Sequence, residues 1–66
     1  MMNDDNFIIE FITMGNSVKV TVVDPVTGRE VSTIGPKTAS QAQLSKAGVN
    51  KMLYVMNKEK SETSTD

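Results

Sequence analysis

Two turn signals divide the first half of this chain into three runs rich in β-branched and aromatic residues, and that division constrains the fold more than any other feature. The first run is Phe7-Ile8-Ile9-Glu10-Phe11-Ile12-Thr13-Met14, the second Val18-Lys19-Val20-Thr21-Val22-Val23, and the third Arg29 to Ile34. Residues of this kind fit a pleated, half-buried surface. Gly15-Asn16 separates the first two runs and tolerates the positive φ angles of a two-residue hairpin loop. Asp24-Pro25-Val26-Thr27-Gly28 separates the next two: Pro25 presets its own φ, Asp24 accepts bonds from following amides, and Gly28 is free to turn left-handed. Gly35-Pro36 closes the third run.

The alternation of side chains then predicts a register. With Gly15 and Asn16 as the first loop, Met14 faces Ser17, and Thr13–Val18, Phe11–Val20 and Ile9–Val22 pair on one face. With Asp24 to Thr27 as a four-residue second loop, Val20 faces Val31 and Val18 faces Thr33. Both hairpins place their valines on the same side, and a one-residue slip in either would destroy that agreement. The covered face is expected to carry Phe7, Ile9, Phe11, Val18, Val20, Val22 and Val31.

A helix is predicted from about Ala39 to Asn57, with Thr38-x-x-Gln41 as its capping box after Pro36. Its apolar arc gathers Ala42, Leu44, Gly48, Val49, Met52, Leu53, Val55 and Met56, with Tyr54 at its edge, placed either to cap the core or to anchor a partner. Gly48 inside that arc lets a helix approach a sheet closely. The expected fold is α+β in two layers, β-β-β-α: a three-stranded antiparallel meander on one C-terminal helix. Residues 1–6 read as a flexible N-terminus, 7–57 as one domain, and 58–66, which have no apolar residue, as a disordered polar tail.

A chain of 66 residues buries little core, and domains this small often add a disulfide, a metal or a partner subunit. There is no Cys and no His. Thiol chemistry, Ser-His-Asp and Cys-His constellations are thereby excluded, and zinc would have to bind through carboxylates alone. The four Gly, at 15, 28, 35 and 48, have none of the spacings of a phosphate loop. One carboxylate pair stands out: Glu10 and Glu30 flank Thr21 in the expected register, two strand spacings apart, on an open face with no pocket to perturb them. The reading is a non-enzyme with no cofactor and no metal. The Phe7–Met14 stretch is too short to span a bilayer, and the acidic start lacks the basic region of a signal peptide, so the expected location is cytoplasmic.

The turn residues carry a resemblance. Gly15-Asn16-Ser17-Val18-Lys19-Val20-Thr21, Asp24-Pro25-x-Thr27-Gly28-x-Glu30-Val31-Ser32 and Gly35-Pro36 resemble a family of short uncharacterised bacterial proteins of alphaproteobacterial type, over roughly Phe7 to Met56. The resemblance implies a bacterial cytosolic origin and carries no active site. The order of elements is also similar to the arm-type DNA-binding domains of tyrosine recombinases and to plant AP2 domains. Those read DNA with basic and aromatic residues on the exposed sheet face. Here that row carries Glu10, Thr21 and Glu30, with Lys19 almost alone.

Two functional expectations follow. The first strand is apolar on both faces: Ile8, Ile12 and Met14 point away from the core, as do Val23 and Ile34. A strand of this kind usually has something on both sides. Its edge is also long and nearly uncharged, which invites a second copy. The expectation is a protein-interaction module that self-associates or docks on a protein partner through the outer sheet face, with Ile8, Ile12, Met14, Val23 and Ile34 as its interface. The alternative is an accessory domain for nucleic acid. Between Gly15 and Lys58 there are six basic and two acidic residues, and Lys37, Lys46, Lys51 and Lys58 lie on or beside the helix.

Overall fold

A computed structural model describes residues 6–64 and has the order β1 (Ile8–Met14), β2 (Ser17–Val23), β3 (Glu30–Pro36), α1 (Gln41–Ser64). The strands form one antiparallel sheet in the order β1-β2-β3, and the helix packs on one face of it. The expected α+β meander is the fold. The segment 1–6, expected to be flexible, lies, apart from Asn6, outside the described residues.

The first hairpin has the expected register, with Met14 paired to Ser17, Phe11 to Val20 and Ile9 to Val22. Gly15 takes a φ of 62° in its loop. The second hairpin is offset by two residues. Val22 faces Val31, Val20 faces Thr33 and Val18 faces Gly35, in place of Val20–Val31 and Val18–Thr33. The cause lies in the turn. Asp24 continues the pairing one residue past β2, its N–H donating to the Arg29 carbonyl at 2.8 Å, so the loop is Pro25 to Gly28. The buried Asp24 carboxylate accepts the Val26 N–H and the Thr27 hydroxyl, each at 3.0 Å. Gly28, at a φ of 80°, donates to the Asp24 carbonyl at 2.7 Å and closes the turn. An offset of two preserves the side-chain alternation, so every residue stays on its expected face.

The core sits between sheet and helix. Val18, Val20 and Val22 of β2 meet Leu44 and Met52 of α1, all buried, and Val49 of α1 is buried as well. Phe7, Ile9, Phe11, Val31, Ala39 and Met56 pack half-buried around them. Full burial of one such aliphatic side chain contributes about 1.5–3 kcal/mol. Gly48 faces the middle of β2: a Cβ there would lie 2.7 Å from Val22 Cγ2 and 3.2 Å from Val20 Cγ1.

The helix differs from expectation at both ends. Ala39 donates to the Pro36 carbonyl at 3.0 Å, so the chain first turns, and the helix begins at Gln41 rather than Ala39. The capping box is accordingly Ser40-x-x-Gln43, not Thr38-x-x-Gln41. Gln43 N–H donates to Ser40 Oγ and Ser40 N–H donates to Gln43 Oε1, each at 3.1 Å. At the other end the helix continues through residues 58–64, which were expected to be a disordered tail. Lys58 and Glu59 are both exposed, and Lys and Glu are good helix formers that propagate an existing helix. Glu59 also pairs with Arg29 from the β2–β3 turn. The rest of the expected tail, 65–66, lies outside the described residues.

The helix lies over β2 and β3, with β1 to one side. Its buried arc is therefore narrower than predicted. Leu53 (44% exposed) and Ala42 fall outside it, and Tyr54 is 65% exposed, so it does not cap the core.

Candidate functional site

The outer face of the sheet carries the residues singled out as an interface. Ile8, Ile12, Met14 and Ile34 are each about half exposed, and Val23 is half-buried. The pairings sort them into two groups. At one end Ile8 lies beside Val23, which lies beside Glu30. At the other, Ile12, Lys19 and Ile34 form one row across the three strands, with Met14 two residues on from Ile12. The two-residue offset brings Ile34 into the row of Ile12; in the expected register it faced Ser17. Between the groups runs a polar row, Glu10, Thr21 and Ser32, in which the Thr21 and Ser32 hydroxyls lie 3.3 Å apart.

The same offset separates the carboxylates. Ser32, not Glu30, completes the row of Glu10 and Thr21. Glu10 and Glu30 are two strands and two residues apart, about 12 Å by strand geometry. Among the described residues no three His, Cys, Asp or Glu could together hold a metal ion, and no helix is long and apolar enough to cross a membrane.

The helix-side lysines do not form one surface. Lys46 and Lys51 are about 140° apart around the helix at 100° per residue, and Lys58 follows Lys51. Lys51 Nζ donates to the Ser32 carbonyl on β3. Lys37 sits in the turn after β3, its N–H on the Asn16 carbonyl at 3.0 Å.

The hydrogen-bond pattern shows which backbone groups lie on each strand edge. Asp24 bonds Arg29 and Lys37 bonds Asn16, so even-numbered residues of β2 exchange bonds with β3 and odd-numbered ones with β1. On β3 the outward-facing backbone then belongs to Glu30, Ser32, Ile34 and Pro36. Lys51 occupies the Ser32 carbonyl, and Pro36 has no N–H to offer. A lysine and a proline are standard protection for an edge. On β1 the outward-facing groups are those of Ile9, Phe11 and Thr13, and among the described residues nothing pairs with them.

The described residues define a small two-layer α+β domain, a three-stranded antiparallel sheet with one helix on one of its faces. The chain belongs to the family described as "Domain of unknown function (DUF6898)", which matches residues 4–59. No curated protein and no solved structure matches it.

Proposed function

We propose that this is a non-catalytic interaction module that docks on a protein partner through the outer face of its sheet. The row Ile12–Lys19–Ile34 carries the reading. It sets two half-exposed isoleucines on either side of a lysine, with Met14 adjoining, on the face opposite the helix. Such a patch fits a protein surface that presents apolar side chains around a carboxylate, the apolar contacts supplying affinity and the charge orientation. Nucleic acid suits the patch less, since the adjoining row of the same face carries Glu10. The resemblance of the turn residues supports a bacterial, cytoplasmic setting.

The test is recovery of partners from the native cell with nuclease present, using wild type and Ile34→Lys. A protein retained by wild type and lost from Ile34→Lys is the expected result. Recovery that disappears with nuclease from both contradicts it and points to the lysines. Ile34 is exposed on β3, so its substitution leaves the core intact.

A further inference from the structure

We infer that a second copy of this chain pairs with the β1 edge, giving a two-fold dimer with one continuous six-stranded sheet. This goes beyond partner docking and uses a different surface, so either reading can fail alone.

The two edges of the sheet are unequal. Lys51 and Pro36 blunt β3, whereas β1 has neither a proline nor a lysine along Ile8–Met14. Its outward-facing N–H and C=O groups, on Ile9, Phe11 and Thr13, have no backbone partner among the described residues and form a ladder of the kind that templates another strand.

The strand also fits itself. Its middle residue is Phe11, which belongs to the outward-facing set. A second β1 laid antiparallel with Phe11 beside its own copy matches all seven residues. Ile9 then faces Thr13 of the second copy and Ile8 faces Met14. The three outward pairs supply about six backbone hydrogen bonds. Had the midpoint fallen on an inward-bonding residue, a full-length symmetric pair would have no bonded centre.

Charge agrees with this register. Glu10 faces Ile12 of the second copy, not the second Glu10. Lys19 of the second copy, paired to that Ile12, lies about 9.6 Å away across two strand spacings, within reach of two long side chains. A shift by two residues that opposed Glu10 to itself would be repelled.

The helix leaves room. Because α1 lies over β2 and β3, the two helices stand about four strand spacings, or ~19 Å, apart, more than a helix diameter of about 10–12 Å. Phe7, Ile9 and Phe11 are only half-buried beside the helix. Pairing sets Phe11 against Phe11 on that face, an aromatic cross-strand contact. On the outer face it brings Ile8 and Val23 of one copy beside Met14 of the other. Two small apolar groups join across the seam.

Sedimentation equilibrium and amide hydrogen exchange on the full chain test this. Wild type is expected to be a dimer at about 100 µM. The amides of Ile9, Phe11 and Thr13 should exchange at least about tenfold slower there than in a dilute, monomeric sample. Thr13→Pro removes an outward donor at an exposed position without touching a β1–β2 bond, and should be monomeric. A wild-type monomer overturns the inference. A dimer whose Ile9, Phe11 and Thr13 amides exchange freely also overturns it, and so does a Thr13→Pro variant that stays dimeric. Ile34→Lys, which is expected to abolish partner docking, should leave the dimer intact.

Discussion

Gly48→Ala isolates the contact that holds the helix to the sheet. In an exposed helix this change stabilises by about 1 kcal/mol. Here the new Cβ would stand 2.7 Å from Val22 Cγ2 and 3.2 Å from Val20 Cγ1. Both valines are fully buried and stiff at χ1, so neither can swing aside. Overpacking of a filled core costs about 1–3 kcal/mol, and so close an approach belongs at the upper end. The net expectation is a loss of about 1–2 kcal/mol, or roughly 5–15 °C in Tm for a domain of this size. Thermal and urea unfolding followed by circular dichroism reads it. Val22→Ala removes the opposing methyls, so the double variant should cost less than the sum of the singles by about 1 kcal/mol or more. A Gly48→Ala variant with raised Tm and no coupling to Val22 would refute the close packing of α1 on β2.

Asp24→Ala leaves the Val26 N–H and the Thr27 hydroxyl without their acceptor in the β2–β3 turn; a loss of about 1–3 kcal/mol is expected by urea titration. Ser40→Ala should cost about 1 kcal/mol by the same measurement, and Thr38→Ala close to nothing, because the cap is Ser40. Removing Glu59 to Asp66 deletes the exposed Arg29–Glu59 ion pair, a contact of the class worth about 0.2–1 kcal/mol; Tm should fall by less than about 4 °C.

Most of the fold was legible because alternation constrains faces strongly. Val18-Lys19-Val20-Thr21-Val22 admits one arrangement against Ile9 and Phe11, and a two-residue loop leaves no slack. The β2–β3 register was not legible to the residue. Alternation is equally satisfied by pairings two apart, and whether Asp24 ends the strand or opens the loop depends on bonds its carboxylate makes locally. The helix start was misplaced for a related reason: Thr38-x-x-Gln41 and Ser40-x-x-Gln43 both read as capping boxes, and only the bond from Ala39 to Pro36 selects the second. The five residues expected to form an interface share the outer face. Which of them adjoin depended on that same two-residue offset, which aligned Ile34 with Ile12 and parted Glu30 from Glu10. The lateral position of the helix had no clear signature, since an apolar arc does not say which strands it covers. The contrast between the two edges follows from that position, because Lys51 reaches Ser32 only from a helix over β3.

The most direct test of the docking face is photo-crosslinking in the native cell, with a photoreactive amino acid placed at Ile34 and, in a separate variant, at Lys46. Ile34 lies on the sheet face away from the helix, and Lys46 is exposed on the helix. A discrete protein adduct is expected from position 34 and none from position 46. Adducts from position 46 alone, or adducts to nucleic acid, would contradict it.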